Sequence, residues 1–322
     1  MDDLFLQTKT LNFDDLEITA QLPTGKAFDE YGADVQKDKA KGKTFQVGSF
    51  GIRANVSPTD RSGKRRVGTN ELVTSADLVL DMTTKMQKSW NLFTELGYAQ
   101  LLTTDTNITR GGDHVSYNYF TDMTGGARPA AKAMDLDNAS VDHFEQGSTQ
   151  LELLSTEVEK SSNSMVSAIA LCGTSYFAKR LDIERQIGLG RDLRSNIDLA
   201  SMEVPRENFN GSAGIYGVQY FDSIDGIRYI RYSAAILGSK MIADGMAYLV
   251  PVGAENFLSR AFAPAQTETY VNTVAVAKYG WNNVHERKGT TLIEESNVLF
   301  LNKTPQMIIP LSMVRESMFS MA

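Results

Sequence analysis

The side chains best suited to catalysis or metal binding do not cluster along the sequence. His114, His143 and His285 have no second ligand three or four residues away, and the segment HERKG lacks the second histidine of the HExxH zinc motif. We therefore expect each histidine to be a surface or interface residue. Cys172 lies in SAIALCG, whose apolar residues predict a buried and unreactive thiol rather than a nucleophile.

Sequence motifs for phosphate binding, calcium binding and acyl transfer are all incomplete. IGLGRDL has two glycines without the third that a dinucleotide-binding turn needs, and no GxxxxGKS or GxxxxGKT loop occurs. DLDNASVDHFE lacks the glycine at the sixth position of a calcium loop, and GTSYF departs from the GxSxG pattern of hydrolases. The sequence thus predicts no catalytic, cofactor-binding or metal-binding residues and no cofactor. Missing motifs disfavour an enzyme without excluding one, because catalytic groups can come together from distant positions.

Composition limits the class of partner. The 322-residue chain carries a formal net charge of −7, which disfavours a protein whose main role is to bind nucleic acid, because phosphate binding needs an excess of Lys and Arg. A single cysteine excludes an internal disulfide framework. The acidic N-terminus lacks the basic start and apolar centre of a secretory signal, and no apolar run is long enough to span a membrane. We expect a protein made in a reducing cytoplasm, with no membrane partner.

Two neighbouring segments carry opposite charge. Residues 1–40 hold nine acidic residues against four lysines, a net charge of −5, whereas residues 41–66 hold seven basic residues against one aspartate, a net charge of +6. The plain interpretation is a solvated basic loop at RSGKRR; the main alternative is pairing between subunits, and nucleic-acid contact is the least favoured. The candidate inter-subunit contacts are Arg61, Lys64, Arg65 and Arg66.

Apolar spacing predicts two amphipathic helices. The first begins near residue 75, with Thr74 or Ser75 as its N-cap, and ends before TTDTN. The second spans roughly 143–160, and one face of it carries Leu151, Leu154 and Val158.

The remaining elements are mostly strands. The first 70 residues have few apolar runs, which predicts an extended arm and loop rather than a domain. TSYFAKRL predicts a short helix, and residues 183–214 a long surface loop. Helices early in the chain, strands late and no regular βαβ alternation indicate the α+β class. The predicted strands are HVSYNYF, SMVSAIALCG, IRYIRYSAAIL, MAYLVPV, FLSRAFA, TLIEESNVLFL and PQMIIPLSM.

In order along the chain, several segments resemble the lambda-type major capsid protein (head protein E) family of tailed bacteriophages. The C-terminal third carries the strongest likeness: MAYLVPVG, FLSRAFAPAQTETYVNT, VAVAKYGW and KGTTLIEESNVLFLNKTPQMIIPL resemble the family's strands, its Phe-Ala-Pro-Ala turn and its Tyr-containing linker. Upstream, the likeness includes KTFQVGSFGIRANVSPTD, the predicted long helix and MVSAIALCGTSYFAKRL. It extends from about residue 43, and RSGKRRVGTN is more basic than the family pattern.

This resemblance implies a Hong Kong 97-like phage capsid fold. It places an N-terminal arm and extended hairpin loop at 1–74, a peripheral domain with a long spine helix at 75–162, an inserted axial domain at 163–262, and returning peripheral strands at 263–322. Pro264 cannot donate to a sheet ladder, so we expect the chain to cross between two sheets at this residue.

The same resemblance implies a function. We expect a major capsid protein that self-assembles through hexamers and pentamers into the icosahedral shell around double-stranded DNA, located in the virion and assembled in the host cytoplasm. The implied partners are other copies of the chain, scaffolding, portal and decoration proteins, and packaged DNA contacted non-specifically. The alternatives are another virion protein such as a tail tube subunit or, less favoured, an enzyme of unrecognised family.

Overall fold

A computed structural model describes residues 2–17, 39–62, 65, 72–108, 115–124, 126–138, 140–161, 164–190, 219–236, 239–255, 257–285 and 289–313. Its helices are α1 (Pro58–Arg61), α2 (Ser75–Thr103), α3 (His143–Lys160) and α4 (Thr174–Gly190), with a π-helix at Phe120–Thr124 and a 3-10 turn at Pro305–Met307. Its strands are β1 (Asp2–Phe5), β2 (Thr10–Glu17), β3 (Lys39–Gln46), β4 (Gly48–Val56), β5 (Lys132–Ala133), β6 (Ser167–Cys172), β7 (Gln219–Asp222), β8 (Ile227–Arg231), β9 (Ala235–Ile236), β10 (Ser239–Lys240), β11 (Met246–Val252), β12 (Leu258–Phe262), β13 (Tyr279–His285), β14 (Gly289–Asn302) and β15 (Ile309–Ser312).

The long helix α2 begins where local chemistry requires it. The Thr74 hydroxyl accepts a hydrogen bond from the Asp77 N–H at 3.2 Å, and the Asp77 carboxylate accepts one from the Thr74 N–H at 3.1 Å. This reciprocal capping box satisfies two backbone donors that no helical carbonyl can reach. The prediction of a helix starting at Thr74 or Ser75 is confirmed.

Helix α2 packs against the long strand β14 through aromatic side chains. Phe93 lies 5.9 Å from Phe300 and 4.6 Å from Phe50 of β4, measured between ring centroids. Trp90 Nε1 donates to Glu294 Oε2 at 2.7 Å, so the buried indole keeps a hydrogen-bond partner. At Gly97 the helix backbone lies so close to β14 that an added Cβ would be 2.6 Å from the Phe300 ring.

A five-stranded sheet is built on β14, which pairs with β4, β12 and β13, while β1 joins β12 in parallel. We expected the first 70 residues to form an extended arm and loop. The structure differs, because β4 pairs with β14 over nine residues. Val56 of β4 is buried, and so are Phe45 and Val47, which precede β4 in the chain. Part of the predicted arm therefore belongs to the body of the subunit.

A six-stranded sheet has the order β5-β15-β11-β6-β8-β7, with α3 and α4 packed on it. Helix α3 has the predicted bounds, and Leu154 and Val158 on its predicted apolar face are buried. Helix α4 is longer than TSYFAKRL, because it continues to Gly190. The predicted surface loop is therefore helical at 183–190, and its part at 191–214 lies outside the described residues.

A buried ion pair fixes α4 to the β7–β8 turn. Arg180, which is 1% exposed, donates from Nη2 to Asp225 Oδ2 at 2.6 Å and to Ser223 Oγ at 2.9 Å. Tyr229 donates its hydroxyl to the same Asp225 oxygen at 2.9 Å, and Ser223 donates to Glu184 Oε2 at 2.9 Å. The Ile227 N–H donates to the other Asp225 oxygen at 3.0 Å, so both oxygens of this buried carboxylate have donors, without which its burial would be unfavourable.

The prediction that the chain crosses between sheets at Pro264 is wrong. Strand β11 lies in the six-stranded sheet and β12 already lies in the five-stranded sheet, so the crossing takes place between Val252 and Leu258. Gly253 there has φ of +85°, a left-handed conformation that suits glycine. Strand β12 ends at Phe262, two residues before Pro264, and the chain then returns to the same sheet as β13. The predicted domain boundaries stay a prediction.

The predicted strand HVSYNYF is also wrong in its described part, residues 115–120. The Asn107 side chain accepts from the Tyr117 N–H at 2.7 Å and donates to the Val115 carbonyl at 2.8 Å. Asn118 then accepts from the Phe120 N–H at 3.0 Å, at the start of the π-helix. Side-chain amides thus replace the ladder hydrogen bonds that a strand would need.

The close approach at Gly97 gives a first testable expectation. A Gly97→Ala change would place a methyl group inside the buried Phe300 ring, so we expect the free energy of unfolding to fall by about 1–3 kcal/mol despite alanine's better helix propensity. Gly280→Ala on β13 is the matched control, because nothing lies within 4 Å of the added Cβ. Thermal unfolding of both variants measures the difference, and equal transition temperatures would contradict the packing described.

The buried ion pair of Arg180 and Asp225 gives a second testable expectation. Asp225→Asn removes the charge that pairs with the buried Arg180 and leaves one acceptor oxygen where two now accept hydrogen bonds, and breaking such a pair costs about 3–5 kcal/mol. Asp222→Asn is the control, since Asp222 pairs with Arg228 on the solvent side of the same hairpin. We expect a large loss of thermal stability for the first variant and little change for the second. A stable Asp225→Asn protein would show that the network is not needed.

Candidate functional site

The predicted inter-subunit residues lie in the connection between β4 and α2. Arg61 is the last residue of α1, and Arg65 is exposed and forms an antiparallel backbone bridge with Leu72, just before the α2 cap. Lys64 and Arg66 lie outside the described residues. The structure thus places Arg61 and Arg65 on one connection and leaves their role as subunit contacts a prediction.

The hairpin formed by β2 and β3 is a separate two-stranded sheet. Its eight residue pairs run from Thr10 opposite Gln46 to Glu17 opposite Lys39. The register sets acidic positions of the first charge block opposite basic ones, as at Asp15 and Lys41. No third strand joins it within the described ranges, and a lone two-stranded hairpin is only marginally stable in water.

The base of this hairpin is anchored in the subunit body. Leu11 and Phe45 are buried, and the Phe45 ring meets the Tyr117 ring edge-on at 5.0 Å. The Tyr117 hydroxyl accepts from the Gln46 N–H at 2.8 Å, which fixes the end of β3. The body therefore holds the hairpin at its base.

A second surface is the valine loop, residues 266–278, which connects β12 to β13. Tyr270, Val271, Val274 and Val276 are between 37% and 58% exposed. The loop is nevertheless ordered, because the buried Ala275 donates its N–H to the Leu6 carbonyl at 2.8 Å and the Tyr270 ring packs on Tyr279 at 4.9 Å. Clustered apolar side chains held outward on an ordered loop are typical of a contact surface. Sequence analysis missed it, although the three valines within the polar stretch were a signal.

The residues considered for chemistry lie apart. His143 is buried at the start of α3, whereas we expected a surface or interface residue; His285 is exposed on β13 and His114 lies outside the described residues. Cys172 is buried as predicted, and burial raises the pKa of its thiol, which disfavours the reactive thiolate. Among the described residues, no three metal-ligating side chains come together. In the same part of the chain, no helix has the length and apolar character needed to cross a membrane.

Solved structures similar to this chain identify its fold. The chain aligns over 98% of its length with 86% of a capsid chain of the cyanophage P-SCSP1u, at 11% identity and a TM-score of 0.52. It aligns over 97% of its length with 84% of a chain from the mature capsid of bacteriophage PhiM1, at 9% identity and a TM-score of 0.51. The Hong Kong 97-like phage capsid fold of the α+β class is therefore confirmed.

Family membership follows from the sequence. Residues 7–312 match the model of the phage major capsid protein E family, so the chain belongs to that family. It is a structural protein of the phage head, a component of the virion that associates with its own copies, and not an enzyme. No curated protein matches the sequence.

Proposed function

We propose that this chain assembles through hexamers and pentamers into the closed icosahedral shell that holds the double-stranded DNA of the phage. The observation that carries the proposal is the β2–β3 hairpin, a two-stranded ladder anchored only at its base within the described residues. Such a hairpin needs further contacts, and a neighbouring copy of the chain supplies them.

The geometry of a shell explains the kind of contact required. Subunits that meet through different surfaces close into rings, and rings of five and six then meet one another. Each contact can be modest in strength, because several neighbours bind each subunit at once. The hairpin, the basic segment 61–66 and the valine loop give the subunit three separate surfaces for such contacts.

The proposal includes the division into an arm and hairpin loop (1–74), a peripheral domain (75–162 and 263–322) and an axial domain (163–262). The two sheets support such a division, with α2 packed on the first and α3 and α4 on the second. Hydrogen bonding favours one refinement, in which β1, β4 and β12 are peripheral and β15 with α3 is axial.

The proposed partners are scaffolding, portal and decoration proteins, with assembly in the host cytoplasm. Packaged DNA would be contacted non-specifically, and the net charge of −7 supports a container that does not hold DNA tightly. Negative-stain electron microscopy of the expressed chain, alone and with a candidate scaffolding protein, tests the proposal. Closed shells support it, whereas open stacked rings would indicate a tail tube subunit and would overturn it.

The basic segment gives a testable expectation for assembly. Changing Arg65 and Arg66 to Glu should reduce particle yield, because the segment would lose its complementarity to the acidic block of a neighbour, while circular dichroism shows a folded subunit. Lys85→Glu with Lys88→Glu, on the exposed side of α2, makes the same change in net charge. Sedimentation measures the particles. Equal losses in the two double variants would assign the effect to net charge, and normal yield from the first would reject the contact.

The valine loop gives another testable expectation for assembly. Val271→Ser with Val274→Ser removes apolar area that a neighbour would bury. We expect the concentration needed for assembly to rise roughly tenfold or more, because a loss of about 1.4 kcal/mol of binding free energy per contact raises the dissociation constant tenfold. Val284→Ser on β13 is the control, because Val284 is also highly exposed but lies outside the loop. Light scattering against concentration measures the threshold, and an unchanged threshold in the double variant would exclude the loop from assembly.

A further inference from the structure

A positively charged side chain from outside α2, that of Arg128, lies at the C-terminal end of this helix. The last turn of α2 contains no basic residue, and Arg128 donates from Nη1 to the Thr103 carbonyl and from Nη2 to the Leu102 carbonyl, each at 2.5 Å. These carbonyls have no helical donor, and the negative end of the helix dipole favours a cation there. Arg128 therefore completes the end of α2.

The Arg128 guanidinium also contacts the six-stranded sheet. Its central carbon lies 5.0 Å from the centre of the Tyr248 ring on β11, within cation–π range. Nearby, the Tyr232 hydroxyl donates to Glu95 Oε1 of α2 at 2.7 Å. Two polar contacts thus join α2, which packs on the five-stranded sheet, to the region of the six-stranded sheet.

The space between these polar contacts is incompletely filled. A crevice of about 190 Å³ lies between α2 and the six-stranded sheet, with Leu102, Leu171 and Ile242 among its lining residues. Close packing therefore contributes less at this junction than inside either sheet, and the polar contacts carry more of its strength.

Asp105 lies beside Arg128 in an unfavourable position for a carboxylate. Its side chain is buried, with Oδ2 3.0 Å from Arg128 Nη1, and neither carboxylate oxygen has a well-formed hydrogen bond within the described residues. Its φ of +57° is left-handed, and the Tyr119 N–H holds its carbonyl at 3.0 Å. Burial raises the pKa of Asp105 to about 7, against the opposing effect of Arg128.

We propose that Asp105 makes the junction between α2 and the six-stranded sheet sensitive to protons, so that its ionisation loosens the contact that Arg128 and Tyr248 form. Among the described residues, the ionisable groups that face Asp105 are Arg128, from the segment after the π-helix, and Tyr248, from β11. Burial raises the pKa of Tyr248 further above its usual range, so the tyrosine stays neutral near pH 7. The proposal concerns contacts within one subunit and stands apart from the assembly surfaces.

The direction of the effect follows from linkage. In the closed junction Asp105 holds its proton up to about pH 7, whereas in an open, hydrated junction its pKa returns to about 4. The proton therefore favours the closed junction; this contribution is complete below about pH 4 and is lost as the pH rises to about 7. With these two pKa values, the equilibrium constant for opening the junction increases about tenfold between pH 6 and pH 8 and begins to level off above about pH 7.

Hydrogen exchange with mass spectrometry tests this on the full-length chain. Protection factors, corrected for intrinsic exchange, are measured at pH 6, 7, 8 and 9 for peptides covering residues 98–106 and 246–250. We expect protection to fall about tenfold and then level off in the wild-type protein. Asp105→Asn keeps a neutral side chain that tolerates positive φ, so its protection should stay constant from pH 6 to pH 9 and lie above the wild-type level. Asp81→Asn, which changes an exposed carboxylate on α2, should behave as wild type.

Two results would overturn the proposal. One is wild-type protection in these peptides that does not change between pH 6 and 8, and this result decides the question even if Asp105→Asn does not fold. The other is a folded Asp105→Asn protein that keeps the wild-type dependence. Light scattering at each pH establishes that the state of association is constant, so that a change in assembly is not mistaken for opening of the junction.

Discussion

The architecture depends on how closely α2 approaches β14. Gly97 allows the helix backbone to lie directly on the Phe300 ring, and Phe93 closes the contact from the side. Strand β14 in turn pairs with three other strands, and its Phe300 carbonyl accepts the buried Tyr119 hydroxyl at 2.5 Å. One helix–strand contact therefore positions the five-stranded sheet and the turn that follows α2. Because interiors are close-packed, a change at this contact is felt throughout the sheet.

The two sheets are internally well packed, and they are joined by Leu102 of α2, which is buried in the core of the six-stranded sheet, together with polar contacts. Aromatic and aliphatic side chains fill the space within each, and the Arg180–Asp225 pair completes the second. Between them lie a crevice, an arginine over a tyrosine ring, and a buried carboxylate. Hydrogen bonds and charges depend on geometry and pH more steeply than apolar packing does. The contacts at this junction can therefore change while the apolar core of each sheet stays packed.

Sequence predicts those features whose causes are local. The start of α2 follows from Thr74 and Asp77 three residues apart, and the apolar face of α3 follows from its spacing. Strand β4 was not predicted because two glycines and Arg53 interrupt GSFGIRANV, although its burial alternates. Arg128 was not predictable, since it reaches the end of α2 from 25 residues away. For the candidate contacts, charge identified Arg61 to Arg66, whereas the exposure of the valine loop depends on tertiary structure.

The lone hairpin of β2 and β3 has a consequence for the energetics of growth. A segment that becomes fully ordered only against a neighbour loses its conformational entropy at the moment of binding, and this loss is subtracted from the contact energy. A large contact area then yields only a moderate affinity. A wrongly placed subunit can leave before its neighbours enclose it, whereas a correctly placed one is retained by later additions. The incomplete hairpin would in this way make shell growth reversible at its edge and durable once closed.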